Sequence, residues 1–281
     1  MKICIVIPAH NEETFLGKTL QSLAEQTLLP EKIVVVDDQS SDSTATVAAD
    51  FAEKHSFISL VKTNSSEAHL PGSKVINAFQ KGLDRVTDFD IICKFDADLI
   101  FPKNYLETIH RIFEADSKTG MAGGFCYIQK NGDWALESLT DKDHIRGALK
   151  AYRKECFKDI GGLKPSMGWD TVDELLARYH GWKIVTDENL KVKHLRPTGF
   201  TYNKKAKLKQ GAAFYKLRYG FIITFIASAK LALKKGNLLL FRDYLHGFFK
   251  ARKEKTPFLV TKKEGAFIRR LRYKRMFAKL F

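Results

Sequence analysis

The stretch Ile91-Ile92-Cys93-Lys94-Phe95-Asp96-Ala97-Asp98-Leu99-Ile100 decides how this chain is read. An apolar run, broken by one lysine, leads into two carboxylates one residue apart, and apolar character then resumes. In an extended chain residues i and i+2 point the same way, so Asp96 and Asp98 project together if the strand persists through them. Two neighbouring carboxylates repel unless a positive charge lies close, and oxygen donors of this kind suit hard cations such as Mg²⁺ or Mn²⁺. A solvated turn after a buried strand is the plain alternative.

Upstream, Lys2–Ile7 is a β-branched run that reads as a buried parallel strand, ending in Pro8-Ala9-His10-Asn11-Glu12-Glu13. Asn11 is a candidate N-cap for a helix over 12–26, whose Phe15, Leu16, Leu20 and Leu23 recur at helical spacing. A second strand, Lys32–Val36, runs into Asp37-Asp38-Gln39-Ser40-Ser41-Asp42-Ser43-Thr44, a loop that also signals a helix over 43–54. A short strand at 58–62 and a helix at 73–86 precede the acidic stretch. Strand and helix thus alternate, which predicts right-handed crossovers and a mainly parallel sheet. Ligands bind such sheets at the carboxyl ends of the strands, where the loops 8–13, 37–44 and 96–98 all fall.

Downstream, the pattern predicts a helix over 103–116 and a strand over 121–129. Residues 130–150 are ambiguous, and 151–156 reads as the start of a strand or helix. A helix over 171–180 and short strands at 183–186 and 190–194 complete this part. Cys4, Cys93, Cys126 and Cys156 lack metal-ligand spacing and read as buried free thiols in a reducing compartment. The apolar segment Ile3–Ile7 is too short for a signal peptide.

The net charge of +15 conceals two regions. Residues 191–281 hold 25 Lys+Arg against 3 Asp+Glu, whereas 1–190 hold 22 against 29. An acidic body with a basic C-terminal third points to an anionic surface as partner. Tyr219–Ala229 is apolar but shorter than the ~20 residues a bilayer-spanning helix needs. Phe267, Leu271, Phe277 and Leu280 are interleaved with Arg269, Arg270, Arg272, Lys274, Arg275 and Lys279, a pattern that suits a helix lying on an anionic membrane. Helices packed on the body with solvated cations are the alternative. No nucleic-acid module accompanies the charge, so no nucleic acid is expected.

Taken together, Val6–Glu13, Val35–Thr44 and Phe95-Asp96-Ala97-Asp98 resemble the family 2 glycosyltransferases of GT-A fold, over roughly residues 1–195. The resemblance implies an α/β fold: a single Rossmann-like, mainly parallel sheet flanked by helices. It gives a GT-A catalytic domain over 1–198, with 199–281 a basic, aromatic-rich helical extension. It implies an inverting, metal-dependent enzyme that moves a sugar from a nucleotide-diphosphate sugar to a hydroxyl of a glycan or lipid-linked acceptor. UDP is the first expectation, with GDP and dTDP open, and Mg²⁺ or Mn²⁺ is the implied cofactor. Bacterial surface-polysaccharide synthesis at the cytoplasmic face of the cell membrane, with residues 200–281 against anionic lipid, is the setting that follows.

By the same resemblance Pro8, Ala9, Asn11, Glu12, Asp38, Lys74 and Asp96 bind the nucleotide, with Asp38 on the base and Asp96 near the ribose. Asp98 and His194 would hold the metal, and Arg146, Arg153 and Arg196 join Lys74 as candidates for the diphosphate. The family's base usually sits in a Glu-Asp pair at a helix start. Here that pair is replaced by Trp169-Asp170-Thr171-Val172-Asp173-Glu174, which leaves Asp170, Asp173 and Glu174 as catalytic candidates in that order. Trp134 and Trp169 are candidates to stack on a sugar, with core packing the first expectation for both. A sugar-phosphate nucleotidyltransferase is disfavoured because the loop 8–13 contains no glycine. A catalytically silent nucleotide-, membrane- or nucleic-acid-binding protein on the same fold is the reading from another class.

Overall fold

The computed structural model describes residues 1–64, 72–137, 142–196 and 204–278. Its first half alternates β1 (Ile3–Ala9), α1 (Leu16–Ala24), β2 (Lys32–Asp38), α2 (Thr44–Lys54), β3 (Ile58–Thr63), α3 (Ser73–Leu83) and β4 (Ile91–Phe95). There follow β5 (Leu99–Ile100), α4 (Tyr105–Ala115), β6 (Thr119–Lys130), β7 (Asp133–Leu136), β8 (Leu149–Arg153), α5 (Lys154–Asp159), α6 (Trp169–Tyr179) and β9 (Lys183–His194). Four helices close the chain: α7 (Lys204–Lys216), α8 (Gly220–Lys234), α9 (Leu239–Lys253) and α10 (Lys262–Phe277).

The strands form one sheet in the order β3-β2-β1-β4-β8-β6-β9-β5, with β7 paired to β6. β3, β2, β1 and β4 run parallel, so Ile5 lies beside Ile33 on one side and Cys93 on the other. Helices cover both faces of these central strands, which is why Ile3–Ile7 and Ile33–Val36 are buried without alternation. β8 enters antiparallel beside β4, β6 follows it antiparallel, and β9 returns parallel to β6. The result is the α/β sheet of the GT-A fold.

Several expected boundaries move, each for a local reason. The first helix begins at Leu16 rather than 12, and Asn11 is not its cap. Asn11 adopts a left-handed φ of 54° and accepts at Oδ1 from the Ser41 N–H at 2.8 Å. The Glu12 N–H goes to Thr44 Oγ1 at 2.7 Å, so this segment bonds to the next loop instead of starting a helix. The two strands read at 183–186 and 190–194 are one strand, β9, whose partner β6 is irregular between Gly123 and Phe125. Within the ambiguous span 130–150, β7 makes a hairpin with β6, and β8 starts at Leu149. Cys4, Cys93, Cys126 and Cys156 are all free and buried.

The basic helices pack on the sheet domain rather than trailing from it. Phe214, Leu217, Tyr219, Ile223, Phe248, Val260 and Ile268 belong to the same buried cluster as the strands. α10, read from sequence as a membrane-surface helix, turns Phe267 onto Tyr179 of α6 at a ring distance of 5.5 Å and buries Ile268 completely. Its Arg275 pairs with Asp143 at 2.6 Å. The expected domain boundary at 198/199, and Leu280 with Lys279, lie outside the described residues.

Candidate active site

The carboxyl ends of β1, β2 and β4 gather the three motif loops. His10 Nδ1 meets the Asp38 carbonyl at 2.7 Å, the Asn11 N–H donates to Ser40 Oγ at 2.9 Å, and the Ser43 N–H donates to Glu13 at 2.9 Å. Loops 8–13 and 37–44 are therefore one unit. Ala9 and Asp38 are buried and Pro8 half-buried beneath it, and Asp38 accepts from Thr63 Oγ1 at 3.1 Å on β3. Lys74 stands apart on α3, half-exposed, with no ion pair among the described residues. The start of α3 is locked to the loop before α6, because Ser73 Oγ donates to the Pro165 carbonyl at 2.8 Å. At Gly72, whose φ is +81°, a Cβ would lie 2.6 Å from the Ser166 carbonyl oxygen.

Asp96 and Asp98 leave β4 in different environments. Asp96 is partly exposed and pairs with Lys94, the lysine that interrupts the apolar run. Lys94 is itself buried, donates to the Gly147 carbonyl at 3.1 Å, and lies 5.3 Å from the Trp169 ring centre. Trp169 also faces Lys150, the cross-strand partner of Lys94, at 5.8 Å, so two neighbouring ammonium groups lie against this indole, which is 7% exposed. Asp98 is buried and faces Arg196 Nε at 3.4 Å and His194 Nε2 at 3.5 Å. Arg196 also pairs with Glu12, whose second oxygen is buried without a partner among the described residues.

His194 is held from behind. Its Nδ1 meets Glu137 Oε2 at 3.1 Å, and Arg146 pairs with the same oxygen at 3.2 Å. Burial alone would lower the imidazole pKa, but Asp98 and Glu137 outweigh it and lift it to about 9. Asp98 Oδ1 and His194 Nε2 are spaced close to the ~3 Å of adjacent ligands around a small octahedral ion, so the two residues fit a hard divalent cation. Cys126, Glu137 and His194 form a second donor group within 4.8 Å. Its soft thiol, pushed up by burial, and the Arg146-bound carboxylate suit such an ion less well.

The three acidic candidates on α6 separate by burial. Asp173 is 1% exposed, and both its oxygens accept from Lys150 Nζ at 2.9 Å. It also takes the Tyr152 hydroxyl at 2.6 Å, and burial raises its pKa. Glu174 is buried too, accepting from the Ile145 N–H at 2.9 Å and Lys150 at 3.1 Å, with His144 Nδ1 3.1 Å away. Burial pushes Glu174 up, but Lys150 and His144 prevail and hold it at about 2. Asp170 alone of the three keeps a partly exposed side chain, with His144 Nε2 3.9 Å from its Oδ2. His144 thus stands between Asp170 and Glu174. Neither it nor the buried Lys150 was singled out from sequence, since their partners lie about 20 to 30 residues away.

The residues thus form two acidic clusters, one around Asp98 and one on α6, and Lys94 connects Asp96 to the Trp169 ring at the start of α6. The family model for glycosyl transferase family 2 matches residues 4–161. The chain belongs to glycosyl transferase family 2. Among curated relatives it is 32% identical, over 43% of this chain and 38% of the relative, to a dolichyl N-acetyl-alpha-D-glucosaminyl phosphate 3-beta-D-2,3-diacetamido-2,3-dideoxy-beta-D-glucuronosyltransferase of Methanococcus voltae. The first curated relatives are matched over 23% to 57% of their length, so the chain spans only part of each. Similar solved structures include the mannosyltransferase PcManGT of Pyrobaculum calidifontis in complex with GDP-Man and Mn²⁺: TM-score 0.58, 16% identity, covering 100% of this chain and 81% of that one. TarS of S. aureus in complex with UDP-GlcNAc superposes with TM-score 0.56 at 15% identity, over 89% of this chain and 73% of its own. Within this glycosyl transferase family 2 chain, the matched segment holds loops 8–13 and 37–44 and the Asp96/Asp98 pair, while α6 and His194 lie beyond it.

Proposed function

We propose that this glycosyltransferase inverts the anomeric centre of a nucleotide-diphosphate sugar, UDP-linked in the first instance, with Asp170 as its base. The observation that carries the reading is the split on α6: Asp173 and Glu174 are buried on Lys150, and Asp170 keeps its carboxylate open at the first turn. In a single displacement the acceptor oxygen bonds to the anomeric carbon as the bond from that carbon to the phosphate oxygen breaks. The hydroxyl proton passes to Asp170, and the nucleoside diphosphate leaves with the bonding pair. His144, backed by Glu174 at 3.1 Å, stands 3.9 Å from Asp170 Oδ2 and helps to position that carboxylate.

On the donor side, Pro8, Ala9, Asn11 and Glu12 with Asp38 hold the base, Asp96 the ribose, and Lys74 reaches for phosphate. Arg196 can turn its guanidinium from Glu12 to a phosphate oxygen. Asp98 and His194 would hold Mg²⁺ or Mn²⁺, which when bound offsets charge on the departing diphosphate. The acceptor is a glycan or lipid-linked hydroxyl in surface-polysaccharide synthesis, and the protein sits at the cytoplasmic membrane face. Relatives that bind GDP-Man or UDP-GlcNAc, and one whose name carries a dolichyl phosphate acceptor, support this.

The test is nucleoside diphosphate release from a panel of UDP-, GDP- and dTDP-sugars with Mn²⁺ or with EDTA. Release by the wild-type chain, lost in both Asp98→Ala and Asp170→Asn at unchanged Tm, is expected. No release from any donor, with Tm unmoved by nucleotide, would favour the catalytically silent reading.

A further inference from the structure

α8 is amphipathic in the wrong direction for a helix whose outer face meets water. Its buried side carries Ile223, Thr224, Ser228 and Ala232, two of them hydroxylic. Its outer side carries Phe221, Ile222, Phe225 and Ile226, all exposed. Polar hydroxyls face inward and the bulkiest apolar groups outward. A solvent-facing helix places them the other way.

The outer surface is also contiguous. The Phe221 ring lies 6.0 Å from Phe225 and 5.9 Å from the exposed Phe249 of α9, so the two helices share one apolar face. At the turn that joins them, Leu233, Leu238 and Leu239 are 69%, 72% and 63% exposed. Single exposed leucines need no explanation, but a connected patch marks a surface that is covered in use.

We propose that the α8–α9 hairpin docks on an anionic lipid bilayer, with the turn leucines and the Phe/Ile face entering the boundary between headgroups and acyl chains. Charge selects this occupant. Residues 219–255 carry eight Lys+Arg against only Asp243 and Glu254, and Lys234 and Lys235 sit in the turn between the exposed leucines. Lys230 and Arg242 add exposed cations on α8 and α9. Lysines beside apolar anchors bind lipid phosphate while the anchors leave water. A second copy of this chain would bring the same cations face to face and be repelled. No helix among the described residues is long and apolar enough to cross a membrane, so the hairpin lies in the interface. α10 turns Phe267, Ile268 and Leu271 onto the core, and its one strongly exposed apolar group, Phe277, has no ring contact with the α8–α9 face among the described residues.

The proposal rests on the membrane placement given above and names the face responsible; glycosyl transfer plays no part in it. The full chain is sedimented with vesicles of phosphatidylcholine alone and of phosphatidylcholine with about one third phosphatidylglycerol, at low and high salt. Partitioning onto the anionic vesicles alone, weakened by salt, is expected. Leu233→Ser/Leu238→Ser/Leu239→Ser should lower the partition coefficient by about tenfold or more, with Tm and donor hydrolysis in solution unchanged. Lys234→Gln/Lys235→Gln/Arg242→Gln should erase the preference for anionic lipid. If the serine variant partitions like wild type, the face is wrong while membrane placement stands. If the wild-type chain ignores anionic vesicles, both fall. If light scattering shows a dimer that the serine variant dissolves, the patch is a self-interface and the proposal is overturned.

Discussion

Asp170, Asp173 and Glu174 lie within five residues of one another, yet a buried ammonium gives them different chemistry. Lys150 takes Asp173 and Glu174 out of play as solvent-facing bases and leaves Asp170 at the helix start. Asp170→Asn should therefore lower kcat by about 10²–10⁴-fold with little change in KM, measured by nucleoside diphosphate release. An equal loss in Asp173→Asn without a fall in Tm would move the base there. The pH dependence of stability probes Glu174. Its carboxyl sits at about 2 in the fold against 4.5 otherwise, so the folded state favours its charged form. Its contribution is complete above about 4.5 and is lost as pH falls through about 2. The Tm gap between wild type and Glu174→Gln should accordingly narrow across that window, and a gap independent of pH would contradict the pairing. Side-chain partners of this kind were only partly legible in sequence. The lysine inside the apolar run at 94 was visible, and its pairing with Asp96 two residues on is local. That Lys150 would choose Asp173 and Glu174 depends on β8 passing under α6, which no local pattern records.

At the scale of elements, the parallel strands of the first half were read well, and of the helix starts only the first, set at 12 and found at Leu16, was missed by a full turn. Runs such as Ile91–Phe95 and Ile33–Val36 are buried on both faces of a parallel sheet, and that burial writes itself as unbroken apolar sequence. Asn11 has a capping residue's side chain but serves the neighbouring loop, because a left-handed φ turns the chain toward Ser40–Thr44. β7 and β8 are short antiparallel additions with mixed polarity, so alternation over 130–150 was too weak to place them. The helical third carries a distinct element-level constraint. α7 and α9 cross with backbone nearly touching: a Cβ at Gly211 would fall 1.8 Å from the Tyr244 carbonyl oxygen, and one at Gly247 2.0 Å from that of Leu208. Gly211→Ala or Gly247→Ala forces these helices apart and should cost about 3 kcal/mol, read as a lowered Tm. Each should also loosen vesicle binding indirectly, since α9 carries Leu239 and Phe249 of the apolar face. A neutral Gly247→Ala would show that the crossing is wider than described.

Across the whole molecule, the charge asymmetry suggested two parts, and the packing joins them. The buried cluster that begins at Ile3 continues through Phe214, Phe248, Val260 and Ile268, so the basic third shares its core with the sheet. Polar ties reinforce the join: Arg275 pairs with Asp143 at 2.6 Å, and Lys216 Nζ donates to Ser166 Oγ at 3.2 Å. Charge counted along a sequence reports solvation of side-chain tips and says nothing about where the stems and neighbouring apolar groups pack. An independent tail would unfold separately and leave 1–198 as stable as before. A shared core predicts one cooperative transition for the full chain, seen alike by calorimetry and by far-UV circular dichroism. Removing 262–281 should lower Tm markedly, because it strips Ile268 and Phe267 from the cluster and exposes Tyr179 of α6, the helix that presents Asp170. The truncated chain should then lose transfer activity even on a water-soluble acceptor, which separates this effect from loss of membrane docking. A chain lacking 262–281 with wild-type Tm and full activity on that acceptor would show that α10 is a passenger rather than part of the catalytic body.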